Sequence, residues 1–236
     1  MISKTREELL EIAKPAFFSG ELVKAILEGK KTQTRRLVKP QISLMSGETG
    51  EWEEMDDGSL QMRIDGYNGL IYDYPVYPKY HAGDVLYVPE CQSIERQLMV
   101  FPEDRETVRV IYKADGSVKY YPVSPKEWSR LAKYDGLAPK FLSPYWTTKE
   151  TARLFLRVTD VRVERLQEIS EEDTAKEGIR TDIYVCRFDD PDFVENIGGK
   201  EEFAKLWDST VKKTELGQYG WSANPWVFVY SFVVID

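Results

Sequence analysis

Hydrophobic positions along this chain recur with two periods. At residues 21–28 (ELVKAILE), Leu22, Val23, Ile26 and Leu27 fall on one side at helical spacing. Ser19 can cap the start, Glu21 suits the first turn, and Gly29 is a favoured residue just past a helix end. These features together predict a helix that stops at Gly29. The second period is two. Over residues 153–166, Leu154, Leu156 and Val158 alternate with Arg153, Phe155, Arg157 and Thr159, which predicts a strand. The phase changes at Asp160, where Val161 and Val163 take over, and a bend there suits a barrel corner. Residues 84–88 (DVLYV) predict a short strand after a Gly83-Asp84 turn, and residues 107–112 (TVRVIY) another. Ala114-Asp115-Gly116-Ser117 is a turn, so residues 118–121 are expected to return as the partner strand. A last strand of high β propensity is expected over residues 226–234, after Pro225.

Short helices punctuate these strands. Ser124-Pro125-Lys126-Glu127 is a capping box with proline at the first helical position, and Trp128 and Leu131 lie three apart on one face. Ser170 opens another helix, with Asp173 as a weaker box partner and Gly178 at its end. A third runs over residues 201–207, packing through Phe203, Leu206 and Trp207. The stretches 41–80, 122–150 and 180–199 are irregular and read as insertions. The first carries acidic residues from Glu51 to Asp57, then glycines and tyrosines, with a hairpin expected within it. What remains, about 14–40, 81–91, 107–121, 151–179 and 200–236, forms the core of one expected α+β domain over residues 1–236. Regular βαβ alternation is missing, and so is a glycine-rich phosphate loop. Gly29-Lys30-Lys31-Thr32 resembles the end of a Walker motif, but it follows a helix and lacks the upstream glycines.

Composition narrows the chemistry. With 236 residues, 42% hydrophobic and 31% charged, the chain can bury a substantial core without disulfides. Cys91 and Cys186 are expected as free thiols in a reducing compartment. His81 is the single histidine, which argues against both a Cys-His nucleophile and a soft-ligand metal site. No cofactor and no metal are expected. Neither a signal peptide nor an 18-residue apolar run is evident, so a cytoplasmic protein without membrane attachment is expected. Oligomeric state leaves no signal in the sequence.

A net charge of −8 opposes wholesale wrapping in nucleic acid, yet one basic footprint stands out. Lys30, Lys31, Arg35, Arg36 and Lys39 are opposed only by Glu28. The run is expected to leave the helix as an extended segment. That puts Thr32, Thr34 and Arg36 on one face and Lys31, Gln33 and Arg35 on the other. A solvated face is the plain alternative. As a binding surface, Lys30, Arg35 and Arg36 suit phosphates, Gln33 and Thr34 suit a base edge, and Trp146 in its proline-rich loop suits base stacking.

Several blocks resemble a known family. Residues 15–19 (PAFFS) and 23–36 (VKAILEGKKTQTRR) are similar to the ASCH-domain proteins of phages and prophages, within the PUA-like superfamily. The resemblance continues at residues 83–90 (GDVLYVPE), at Phe155-Leu156-Arg157-Val158-Thr159, and at Glu171, Ala175, Glu177, Gly178 and Ile179. It ends with residues 203–208 (FAKLWD) and 221–227 (WSANPWV). These blocks cover roughly half the chain. Glu90 matches, whereas Pro89 and Gln92 stand where phage relatives usually carry arginine and tryptophan. The resemblance implies a small twisted β-barrel with flanking short helices and large loop insertions. It also implies recognition of a nucleotide or single-stranded nucleic acid, with a modified base as one such ligand, in the cytoplasm of a bacterial host. A hydrolytic branch of the superfamily removes the acyl group from N4-acetylcytidine with a lysine, a threonine and a glutamate. Matched to this chain, those roles fall on Lys31, Thr34 and Glu171. Lys31 can act as base only if its pKa is depressed, and a carboxylate beside it works the other way. The remaining alternative is a structural or protein-interaction role in a phage, without catalysis.

Overall fold

The computed structural model describes residues 5–44, 48–66, 70–97, 106–132, 141–179, 184–187, 190–196 and 199–235. Thr5 opens helix α1 (Arg6–Ile12) through a reciprocal capping box with Glu8. Strand β1 (Lys14–Pro15) and helix α2 (Gly20–Leu27) follow. The Ser19 hydroxyl accepts from the Leu22 amide, and Gly29 takes φ +71°, the left-handed conformation that glycine adopts without a Cβ clash. The helix thus starts and stops where the residues predict. Strand β2 (Gln33–Leu37) then carries the basic run.

The insertion at 41–80 is more regular than expected. It forms an antiparallel meander of β3 (Thr49–Glu54), β4 (Leu60–Asp65) and β5 (Ile71–Val76). Leu60, Met62 and Ile64 alternate along β4 and are all buried. Of the acidic residues that suggested a loop, Glu51, Glu53 and Glu54 lie on β3 and face solvent, while Asp56 and Asp57 form the turn that follows. Strand β6 (Val85–Tyr87) fulfils the short strand expected after Gly83. A second meander joins β7 (Gln92–Gln97), β8 (Glu106–Tyr112) and β9 (Val118–Val123). The β8–β9 hairpin was legible from its turn, while β7 was not. Helix α3 (Pro125–Leu131) has the expected reciprocal box between Ser124 and Glu127.

The long strand β10 (Phe155–Arg165) leads to α4 (Glu171–Lys176), capped by Ser170. A hairpin of β11 (Tyr184–Arg187) and β12 (Asp190–Asn196) occupies part of the polar insertion, the rest of which lies outside the described residues. Helix α5 (Gly199–Thr210) is longer than expected at both ends. Helix α6 (Leu216–Tyr219) and strand β13 (Trp226–Ile235) complete the chain. The architecture is mixed α+β, with a curled sheet and a few short helices. Among the described residues, no helix is long and apolar enough to cross a membrane.

Two compact units divide these elements. The first comprises Met1–Gly29, Asp84–Arg157 and Val234–Asp236. In it β1 runs parallel to β6, and β6 runs antiparallel to the start of β10. Ile94, Val108, Val110, Tyr112, Tyr121, Val123, Leu131 and Leu142 form its larger core cluster, and Leu9, Val85, Ala152 and Phe155 a smaller one. The second unit comprises Lys30–Gly83 and Val158–Val233. There the strand order is β10-β13-β2, with Thr34 opposite Tyr230 and Arg35 opposite Val229. Its cluster of Leu166, Ile169, Phe203, Trp207, Val227 and Val229 packs α5 on that sheet.

Candidate functional site

The basic run lies wholly in the second unit, stitched in on both sides. The Thr32 amide donates to the Lys176 carbonyl at 2.8 Å, and the Thr32 carbonyl accepts from the Phe232 amide at 2.8 Å. Lys31 forms an isolated antiparallel bridge with Glu177. Beyond Gly29 the backbone is therefore clamped between the end of α4 and β13.

Strand alternation sends Gln33 and Arg35 to one face of β2 and Thr34 to the other. The Arg35 face meets the α4–α5 side. There the Arg35 guanidinium, with its side chain 0% exposed, spreads over three carboxylates. Its Nε and Nη2 donate to Glu164 Oε1 at 2.9 and 2.6 Å, Nη2 also reaches Asp173 Oδ2 at 3.1 Å, and Nη1 reaches Glu177 Oε1 at 3.0 Å. The other oxygen of Glu177 accepts from Lys31 Nζ at 2.6 Å, and the Glu177 carbonyl accepts from it at 2.9 Å. Arg162 closes the network on Asp173 at 2.9 Å. Phe203 lies against Arg35, with its ring centroid 5.9 Å from the guanidinium carbon.

Charges buried like this are costly to desolvate, by several kcal/mol or so per ion, unless every donor and acceptor is engaged. The cluster offsets part of that cost by sharing Glu177 between two cations. Burial pushes the Lys31 ammonium pKa down, the Glu177 carboxylate pulls it up, and Arg36 and Arg35 push it down again. The net result lies below the ordinary lysine value. Burial alone would raise the Asp173 carboxyl. The hydrogen bond from Lys176, with Arg35 and Arg162 beside it, outweighs burial and holds Asp173 below the usual carboxylate range.

The structure redistributes the residues expected at this site. Lys31, Arg35 and Glu177 come together. Glu171, the expected catalytic carboxylate, is exposed in the first turn of α4, and the carboxylate hydrogen-bonded to Lys31 is that of Glu177. The phosphate fork expected of Arg35 is taken up by Glu164, Asp173 and Glu177 instead. Thr34 is buried on the opposite face of β2, on the Tyr230 side. The Tyr230 hydroxyl accepts from the Lys79 amide at 3.1 Å, and burial pushes its pKa up to about 12. Gln33 is 7% exposed, and its buried Oε1 has no hydrogen-bond partner. Lys30 and Arg36 are exposed.

Glu90 and Trp146 belong to the first unit. Trp146 is 64% exposed in a short turn over Pro144–Trp146. Glu90 is buried and gripped through both oxygens by Arg153, Nε at 2.9 Å and Nη2 at 2.7 Å. An arginine 63 positions away in sequence thus holds Glu90, although Pro89 beside it cannot. Gln92, the other departure, is buried and donates to the Thr151 hydroxyl. Glu177 was named among the residues that carry the resemblance, but no role at the site was assigned to it. Gly178 marks the helix end at φ +84° and so fixes where Glu177 sits. Comparison with protein-family models, curated proteins and solved structures returns no match.

Proposed function

We propose that the second unit recognises a nucleobase, free or in a single strand, through the β2 face that carries Gln33 beside the Lys31–Glu177–Arg35 cluster. The observation that carries this reading is the unpartnered Gln33 Oε1. An unsatisfied buried acceptor costs about 1–3 kcal/mol, and a ligand amino group donating to it would recover that cost. The charged cluster keeps its neighbours on β2 fixed, so the acceptor is preorganised. Exposed Lys30 and Arg36 are suited to an attached phosphate. The resemblance to PUA-like ASCH proteins points to the same ligand class, a modified pyrimidine included. Titration of cytidine, adenosine, N4-acetylcytidine and a short single-stranded RNA tests it. Gln33→Leu should weaken binding about tenfold, the factor set by one lost hydrogen bond of about 1.4 kcal/mol. Equal affinity in both proteins, or no binding by wild type, refutes it.

A second reading, amide hydrolysis on an N4-acylated pyrimidine, is favoured by the buried Lys31 hydrogen-bonded to Glu177. A lysine with a depressed pKa can take the proton of an attacking hydroxyl, and a carboxylate on the same ammonium can pass a proton to the leaving amine. Because Thr34 lies on the opposite face of β2, the attacking hydroxyl on this reading is that of a water beside Lys31, and Glu177 replaces Glu171. Incubation with N4-acetylcytidine followed by chromatography separates the cases. Glu177→Gln should abolish release of cytidine, whereas Thr34→Ala and Glu171→Gln should leave it intact. Turnover that survives Glu177→Gln excludes this assignment.

A further inference from the structure

The first unit contains a cavity of about 520 Å³ that none of Lys31, Gln33, Thr34 or Arg35 lines. Its volume lies within the range of small-molecule sites, roughly 300–1,000 Å³. The start of α2 and the segments around Glu90 and Lys113 form its walls.

Three kinds of wall face one another. Phe18, Val23 and Pro144 are apolar. Phe17 and Tyr145, the chain neighbours of Phe18 and Pro144, stack with ring centroids 4.7 Å apart, which braces the two apolar segments against each other. Lys24 and Lys113 supply positive charge and are both exposed. Glu90 supplies a fixed acceptor. Arg153 holds both its oxygens, donates onward to Asp115 at 2.8 Å and to Ser117, and lies 4.0 Å from the Tyr112 ring centroid. A carboxylate gripped in this way cannot swing. It still has lone pairs beyond the two that Arg153 occupies. Two lysines on the wall, Lys24 and Lys113, face two acids, Glu21 and Glu90; Arg153 is shared between Glu90 and Asp115, and Lys24 lies 4.0 Å from Glu28. The hollow is therefore close to charge-balanced, with its positive charge carried by the exposed Lys24 and Lys113.

We propose that this cavity binds a phosphate monoester of a flat, amino-bearing heterocycle, a ligand of nucleoside monophosphate size. The ring lies against Phe18 and Pro144, the amino edge donates to Glu90, and the phosphate meets Lys24 and Lys113. Two sources share this chemistry, a free mononucleotide and the 5′-phosphorylated end of a strand. The proposal is independent of the Gln33 reading, since the two sites share no residue.

Cys91 lines the same cavity as a free, half-buried thiol and reports on its occupancy. In the 236-residue chain carrying Cys186→Ser, it is the only cysteine. The rate of its alkylation by iodoacetamide is measured with AMP, CMP, adenosine, cytidine, inorganic phosphate or a 5′-phosphorylated oligonucleotide present, alongside calorimetric titration. AMP or CMP should slow alkylation and bind about tenfold or more tighter than the matching nucleoside, the factor of one charge-assisted contact. Lys24→Ala combined with Lys113→Ala should remove both effects, and because both side chains are exposed the fold should persist. Gln33→Leu should leave them unchanged. Protection by the oligonucleotide as well identifies a strand end, and protection by the mononucleotide alone identifies a free small molecule. No protection by AMP, CMP or the oligonucleotide overturns the proposal, as does equal binding by the double lysine variant. Loss of mononucleotide binding in Gln33→Leu with retention in the lysine variant overturns it too and leaves the Gln33 reading standing.

Discussion

Single residues in this protein differ sharply in what their charges do. Arg35 and Arg63 are both ion-paired, yet Arg35 is wholly buried and Arg63 is 45% exposed beside Glu53. Removing one member of a buried network strands the others without water, whereas an exposed pair is screened. Arg35→Ala should therefore lower stability by about 3–5 kcal/mol in urea unfolding. Arg63→Ala should change it by less than about 1 kcal/mol. Equal effects would show that the Arg35 cluster is hydrated. Asp115 provides a pH signature. Burial alone would raise its carboxyl, but the Arg153 hydrogen bond and those from Ser117 outweigh burial and hold it at about 2, against 3.8 unperturbed. A carboxylate depressed on folding contributes stability that is present above its unfolded value and lost as pH falls through the folded one. Between pH 3.8 and about 2 the melting temperature should fall, and Asp115→Asn should flatten that part of the profile. A slope unchanged by the substitution would show that the contact contributes nothing.

Helix ends were the most legible elements, because a cap or a stop is a local chemical event. Ser19, Ser124 and Ser170 cap the helices they were expected to cap. Ser19→Ala should cost about 1 kcal/mol in thermal denaturation. The packing of α5 against α4 was not legible, because it depends on a close approach rather than on propensity. A Cβ on Gly199 would lie 2.1 Å from the hydroxyl oxygen of Thr174 and 3.0 Å from its Cβ. Thr174 is fully buried and donates that hydroxyl to the Glu171 carbonyl at 2.6 Å, so it cannot yield cheaply. Gly199→Ala should destabilise by about 1–3 kcal/mol through overpacking. Gly217→Ala, with open space around it, should be near neutral or slightly stabilising. Matching melting temperatures for the two variants would mean that α5 shifts freely. The β3–β5 meander was missed for another reason. Exposed acidic and aromatic residues on β3 and β5 hid the two-residue period that β4 alone shows clearly.

At the scale of the whole molecule, net charge and burial together limit how nucleic acid would be held on the proposed reading. Of the basic run, Lys30 and Arg36 are exposed while Lys31 and Arg35 are inside. Two phosphate contacts imply a log–log salt slope of about −1.4 for a single strand. An oligonucleotide titration at several salt concentrations measures it, and a slope steeper than about −4 would require a basic surface other than this run. The amino-acid sequence by itself determined the mixed α+β class, both ends of α2, the start of α3, the β8–β9 hairpin and the position of the basic run. Each follows from residues within a few positions of one another, through caps, turns and the periods of helix and strand. Tertiary structure alone decided what the basic run does. Lys31 meets Glu177 across 146 positions and Arg35 meets Glu164 across 129. No local pattern records such a pairing, and whether a cation lies in water or among carboxylates depends on which elements pack over it. For the same reason a run read as a surface for phosphate became largely an internal ion cluster, and the cavity appeared in the other unit, beside a glutamate held by an arginine 63 positions away.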